Sequence, residues 1–228
     1  TATRSERLGL DVPASVDVIT RDELRDAQLR INLSESLPRI PGVVALNREN
    51  YAQDLQISIR GFGARSTFGV RGVRLYVDGV PASQPDGQGQ VSNFPLDAAQ
   101  RIEVLRGPFS ALYGNSSGGV IALTTRIDGG PLLPAAGLAV GSFGTWRAVA
   151  SLGGGTGDVA FAVDGTAFST DGYRSHSAAT RDLVNAAARI DGGASGTWRV
   201  GLNTLSMPDV QDPLGLTREQ WRSDPRQA

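Results

Sequence analysis

TWRAVASLG, residues 145–153, reads as a strand with two unlike faces: Trp146, Ala148, Ala150 and Leu152 fall on one side, and Thr145, Arg147 and Ser151 on the other. Successive side chains of an extended chain point to opposite faces, so one face is greasy and the other wet. The same alternation recurs outward from this stretch. Val159, Phe161 and Val163 alternate with positions that reach Asp164 and Thr166. Val184, Ala186, Ala188 and Ile190 alternate with Asn185, Arg189 and Asp191, and Trp198, Val200 and Leu202 with Thr197, Arg199 and Asn203. A weaker run with Leu138 and Val140 opens the series, which makes about five strands after Pro134. The connections are short at 142–144, 154–157 and 192–196, but long and polar at 170–181 and from 206 onward. Such strands, with short turns at one end and longer loops at the other, are the dyad pattern of a membrane β-barrel. Trp146 and Trp198 stand at strand ends on the apolar parity, where aromatic girdles belong. A soluble sandwich with one buried face per sheet predicts the same alternation, and periodicity alone leaves both open.

Upstream of about Ile127 the pattern differs. Residues 15–19 (SVDVI) alternate as a strand, and Thr20 with Glu23 three residues on spells a capping box for a short helix. Asn32 precedes a second short helix through Leu33, Ser34, Glu35 and Leu37, which Pro38 and Pro41 are expected to stop. Strands follow at 56–60, 74–77, 101–105 and 120–125, with a helical turn at 110–113. Two long glycine-rich loops, 62–72 and 79–94, lie between them, and loops of this length in a compact domain are usually functional. The first half is therefore a small α+β unit.

Composition narrows the classes. The chain has 22 basic and 23 acidic residues, net charge -1, with no basic cluster, so nucleic acid is not an expected partner. With no Cys, disulfides, thiolate nucleophiles and cysteine metal sites are all excluded. The 29 Gly and 12 Pro favour a turn-rich chain over a helical bundle. No apolar run approaches the roughly 18 residues of a spanning helix. No leader follows Thr1, so any signal peptide is expected to lie outside this sequence or to have been removed.

The first half resembles the plug domain of TonB-dependent outer-membrane receptors. The landmarks, in family order, are Pro13-Ala14-Ser15-Val16, LSESLPRIPGV at 33–43, Ile59-Arg60-Gly61, Tyr76-Val77-Asp78-Gly79-Val80-Pro81, RIEVLRGP at 101–108 and SALYGNSSGGV at 110–120. The second half is similar to the family's first barrel strands, including the tail Asp212-Pro213-Leu214-Gly215-Leu216-Thr217-Arg218. The resemblance implies an α+β plug domain, a small mixed sheet with short helices over 1–130. The first antiparallel strands of a transmembrane β-barrel would follow over 131–228. It implies residence in the outer membrane of a Gram-negative cell, no enzymatic activity and no cofactor. It also implies uptake of a scarce nutrient, a ferric siderophore or citrate-like chelate, using energy from TonB with ExbB/ExbD. TonB would engage the N-terminal segment by strand addition, its box lying just before residues 1–4. About five strands cannot close a membrane barrel, which begins at about eight, so the chain is expected to be a fragment or a truncated product, prone to aggregate without lipid.

The same resemblance assigns sites. Arg60 and Arg106 match plug arginines that lock onto barrel glutamates. Without those partners each is expected to be unpaired or bonded to Glu103, because an unpaired buried charge is costly. The two long loops are the expected plug apices facing a ligand, through Arg65, Ser66, Thr67, Phe68 and Arg71 on the first. On the second they are Gln84, Asp86, Gln88, Gln90 and Asn93. The arginine fork suits carboxylate-bearing chelates. Tyr76 and Tyr113 read as packing residues. Two rivals stand beside this reading: a soluble periplasmic ligand-binding module, and a serine hydrolase. The second rests on Gly114-Asn115-Ser116-Ser117-Gly118, with Asp164 and His176 following in hydrolase order. An elbow needs a strand before the serine and a helix after it, which is the reverse of the order expected here.

Overall fold

The structure, a computed structural model, describes residues 15–26, 28–47, 50–66, 69–107, 109–114 and 116–228, apart from the side chains of residues 110 and 111. The chain divides into two compact units, residues 1–48 with 54–125, and residues 49–53 with 126–228.

The first unit begins with β1 (Ser15–Thr20) and α1 (Arg21–Arg25). Thr20 caps α1 as expected: the Glu23 N–H donates to Thr20 Oγ1, and the Glu23 carboxylate takes the Thr20 N–H at 2.7 Å. The second predicted helix is instead two 3-10 turns, Leu33–Glu35 and Leu37–Arg39, and Pro38 lies inside the second rather than stopping the first. Pro38 has no N–H to donate and its ring clashes with the carbonyl four residues back, so an α turn cannot run on through 33–39. The Glu35 carboxylate accepts from three consecutive backbone N–H groups, those of Arg30, Ile31 and Asn32, at 2.7, 2.6 and 2.9 Å, which satisfies the donors at the entry.

Strands β2 (Val43–Leu46) and β3 (Gln56–Ile59) pair as a separate antiparallel ribbon. The main sheet is made by β4 (Val73–Val77), β5 (Val80–Pro81), β6 (Ala99–Arg106) and β7 (Gly119–Thr125), with the short helix α2 (Ser110–Tyr113) between the last two. Its order is β1-β6-β7-β4-β5, antiparallel except for the β4–β7 pair. Both β2 and β5 escaped the sequence reading, being four and two residues long. One face of the sheet buries Ile19, Ile102, Val104, Ile121, Leu123 and Leu75 against Leu24, Leu33, Leu37, Ile57, Ile59 and Phe94. Fully burying a side chain of this size contributes about 1.5–3 kcal/mol, so this face is the main source of the unit's stability.

The second unit holds β8 (Gly130–Val140), β9 (Trp146–Thr156), β10 (Val159–Thr170), β11 (Ala179–Asp191) and β12 (Thr197–Ser206), then α3 (Arg218–Ser223). β8 pairs with β9, and β10-β11-β12 form a continuous antiparallel run. β9 and β10 pack side by side across the connection at 157–158. These are the five expected strands. Among the described residues they do not close on themselves.

Their faces are inverted relative to a water-soluble sheet. Trp146, Leu152, Val159, Val163, Val184, Ile190 and Trp198 are exposed, while Arg147, Asp164, Arg181 and Asn185 are buried, as are Ala160, Ala162 and Ala187. Asp164 is 2 % exposed and accepts from Arg126 Nη2 at 2.9 Å; Arg126 also pairs with Asp128. A sandwich would turn the valines and isoleucine inward and the charges outward. Apolar side chains outward and charges inward is what lipid demands of a barrel wall. Among the described residues no helix is long and apolar enough to cross a membrane, which says nothing of strands.

Candidate binding site

The two long loops of the first unit are tied to each other. Val70 and Gly89 exchange both backbone hydrogen bonds at 2.8 Å, and Gly89 also bridges Ser83. Two glycines permit this approach. A Cβ on Gly69, where φ is +60°, would stand 2.7 Å from the Gly89 carbonyl oxygen, and one on Gly89 would stand 2.6 Å from Leu75 Cδ1. The second loop is anchored by Val91, Phe94 and Leu96 in the core and begins with β5.

On this base the predicted contacts separate. Arg65, Arg71, Gln84, Asp86, Gln90 and Asn93 are exposed, and Gln88 is half-buried. Arg71 donates from Nη2 to Gln88 Oε1 at 3.0 Å and lies 3.8 Å from Asp86 Oδ2. Gln88 donates its N–H to Asp86 Oδ1, and Gln84 donates its N–H to the Gln88 carbonyl. Arg71, Asp86 and Gln88 thus form one polar cluster bridging both loops. The Arg71–Asp86 pair is more than half exposed on both sides, so it adds little stability and leaves the guanidinium available. Ser66 departs from the reading: it is buried, and its hydroxyl donates to the Gly69 carbonyl at 3.1 Å, shaping the loop from inside. Thr67 and Phe68 lie outside the described residues.

The lock residues are also redistributed. Arg106 is bonded within its own unit, to Asp17 Oδ2 at 2.6 Å through Nη2 and to the Pro41 carbonyl at 2.7 Å through Nη1. It does not bond Glu103. The two are three apart on one strand and so face opposite sides of the sheet. Glu103 instead takes Arg101 Nε at 3.3 Å, two residues along on its own face. Arg60 is exposed, with φ of 51°, and its N–H donates to the Gly42 carbonyl at 2.8 Å. Its backbone turns the chain out of β3 together with Gly61, at φ of +86°.

Three features escaped sequence reading. Asp78, at φ of 51°, takes the Thr125 N–H and hydroxyl at 2.9 and 2.6 Å, closing the β4–β5 turn on the end of β7. The opposite face of the sheet carries a cavity of about 440 Å³ between Tyr76, Pro81, Glu103, Tyr113 and Thr124. Tyr76 and Tyr113 pack edge to face at 5.4 Å, the packing role expected of them. The third feature is the carboxylate of Asp212, which takes Asn50 and Gln53. All three depend on residues distant in sequence, and only the Tyr76–Pro81 landmark hinted at one.

The hydrolase rival fails on geometry. Ser116 is fully buried, its hydroxyl donates to the Gly114 carbonyl at 3.2 Å, and a strand follows it where an elbow needs a helix. Asp164 is engaged by Arg126, and His176 is exposed in the loop at 171–178.

A plug-like α+β unit with two linked polar loops, joined to outward-apolar antiparallel strands, defines an outer-membrane receptor. Residues 9–120 match the TonB-dependent Receptor Plug Domain family, and the chain belongs to the TonB-dependent receptors. It is 36 % identical over 121 residues to an iron-regulated outer membrane virulence protein of Vibrio cholerae, covering 52 % of this chain and 18 % of that protein. It is 31 % identical over 160 residues to the vitamin B12 transporter BtuB of Photobacterium profundum, covering 69 % of this chain and 25 % of that one. Its fold matches the ferric citrate transporter FecA in the unliganded form with a TM-score of 0.78 at 24 % identity, over 94 % of this chain and 34 % of that one. The chain thus spans a quarter or less of these curated relatives and about a third of this solved structure.

Proposed function

We propose that this chain is the ligand-gating end of a receptor that imports a ferric chelate bearing carboxylates. In this reading residues 1–130 are the plug and 131–228 the start of the barrel wall. TonB, energised by ExbB/ExbD, engages the N-terminal segment. The observation that carries the ligand class is the Arg71–Asp86–Gln88 cluster on two loops that pin each other through Val70 and Gly89. An exposed guanidinium on a rigid base binds a carboxylate bidentately at little ordering cost. Arg65, Gln84, Gln90 and Asn93, exposed on the same two loops, offer further donors and acceptors. Ser66 shapes the loop. Arg60, exposed at the end of β3, is the lock residue that remains available to a barrel glutamate; Arg106 would have to exchange Asp17 for one. The similarity to an iron-regulated protein and to a ferric citrate transporter supports iron as cargo, while that to BtuB favours cobalamin as the second reading.

The test is uptake of radio-iron as ferric citrate by iron-starved cells that carry the gene encoding this chain as their sole receptor for it. Uptake that requires TonB and falls about tenfold in Arg71→Ala is expected, as for loss of one charge-assisted contact. TonB-dependent uptake of cobalamin with none of any ferric chelate would transfer the assignment to the second reading.

A further inference from the structure

We infer that Asp86 is a specificity-determining residue of the candidate ligand site: its carboxylate is a tethered competitor for the Arg71 guanidinium and sets how strongly anionic a ligand must be to bind there. The inference deepens the proposed function, resting on Arg71's being a ligand contact, and concerns what that contact admits.

Residues 84–88, Gln-Pro-Asp-Gly-Gln, close a tight hairpin within the first unit. The Gly87 N–H donates to the Gln84 carbonyl at 2.9 Å, the Gln84 N–H donates to the Gln88 carbonyl at 2.7 Å, and Ser83 bridges Gly89 at the base. Pro85 and Asp86 fill the central positions of the turn, the first of which suits the fixed φ of proline. Gly87 takes the left-handed position that follows, at φ of 84°. Gln88 then sets both charges. Its N–H donates to Asp86 Oδ1 at 3.0 Å, and its side-chain Oε1 accepts from Arg71 Nη2 at 3.0 Å. One carboxylate oxygen is thereby tied to the backbone of its own turn, and the other, Oδ2, stands 3.8 Å from Arg71 Nη2.

At 3.8 Å the two charges attract without a hydrogen bond between them, and both side chains are more than half exposed, so water and salt screen the pair. A ligand carboxylate that reaches the guanidinium makes a shorter, bidentate bond in place of this attraction. Asp86 does not withdraw to make room, because the Gln88 N–H keeps it in the turn. The ligand carboxylate therefore binds beside a like charge, at a cost that falls off with distance and with salt. An uncharged ligand meets no such repulsion, but has no charge to offer Arg71 in exchange for Asp86. Asp86 thus leaves the hydrogen-bonding shape of the site unchanged and fixes its local charge near zero, so the affinity for an anion is lower than Arg71 alone would give.

The test is a titration of the whole 228-residue chain, in micelles of a non-ionic detergent, with citrate as the probe, followed at the amide resonances of Gly87, Gln88 and Gly89. Asp86→Asn and Asp86→Ser each keep a side-chain oxygen to accept the Gln88 N–H and remove the charge. Both are expected to lower the half-saturating citrate concentration about fivefold at low ionic strength. The gain should fade in about 1 M salt, where screening acts within about 3 Å, and should be absent with the uncharged triamide of citrate. A loosened hairpin would instead weaken binding of both probes. In the double variant Arg71→Ala with Asp86→Asn the gain should vanish, while amides of β7 report that the first unit stays folded. Citrate binding that is absent, unchanged or weaker in both neutral variants would overturn the inference, as would a gain that persists in 1 M salt, without Arg71 or with the triamide. Because the titration contains no iron, failure here leaves ferric citrate uptake to the transport assay above, and cobalamin uptake in that assay leaves the role of Asp86 standing.

Discussion

At the scale of single residues, carboxylates do much of the shaping. Glu35 collects three backbone N–H groups, Asp78 clasps Thr125, and Asp212 collects two side-chain amides. Each satisfies donors that a turn would otherwise leave to water. Glu23 does the same at the start of α1. Its carboxyl is held below its ordinary value, first by the Thr20 N–H and then by the Thr20 hydroxyl, against an opposing effect of burial, with Arg39 adding the weakest lowering. A depressed carboxyl contributes stability above its unfolded value and loses it as pH falls through the folded one. The capping box should therefore stay intact below pH 4.5, the ordinary value, and open only on further acidification. An NMR titration of the Thr20 amide should report a midpoint below that value, and the transition should vanish in Glu23→Gln. Of these carboxylate roles the Thr20–Glu23 pair was read from sequence; Glu35 stands at the same spacing from Asn32, but its further bonds to Arg30 and Ile31, and those of Asp78 and Asp212, carry no such signature.

At the scale of elements, the central strand β7 lies between an antiparallel neighbour, β6, and a parallel one, β4. Its first residue, Gly119, has φ of +146°, and a Cβ there would stand 2.1 Å from the Leu105 carbonyl oxygen. The obstacle is backbone in a paired strand and cannot swing aside. Gly119→Ala should therefore destabilise the first unit by about 3 kcal/mol or more, read as a lower denaturant midpoint by near-ultraviolet circular dichroism. The strands were legible where β-branched residues run together, as in VIALTT at 120–125. The ribbon strand β2 and the two-residue β5 were not, because elements so short are made by their partners rather than by their own pattern. The 3-10 turns at 33–39 were read as one α-helix because a stretch so short carries no periodic face to tell the two apart, and Pro38 was read as a stop rather than as part of the second turn.

At the scale of the whole molecule, the second unit carries its greasy side outward, with Leu138 75 % and Trp198 65 % exposed. Val163, midway along β10, stands on that side, and Val163→Lys separates lipid from water as the solvent of this face. In phospholipid vesicles the substitution should reduce the folded fraction, costing about 2–4 kcal/mol as for a lysine near the midplane of a barrel wall. In detergent-free buffer it should disperse the chain by reducing apolar contact between copies. A soluble module would show neither, and would stay monodisperse without detergent as wild type.

The sequence by itself determined the number of strands in the second half and the family of the first, because each of these is written in spacing: period two, caps three residues apart, and motifs in a set order. It also marked the two long glycine-rich loops. Only the tertiary structure decided which face of the strands is buried, since alternation is the same whether lipid or a core takes the apolar side. It alone turned Ser66 inward, gave Arg106 to Asp17 rather than to Glu103, and brought Asp212 to Asn50 and Gln53. Hydrogen bonds and ion pairs of this kind act over a few ångströms between residues far apart in the chain, and no local pattern encodes which of many polar side chains will meet.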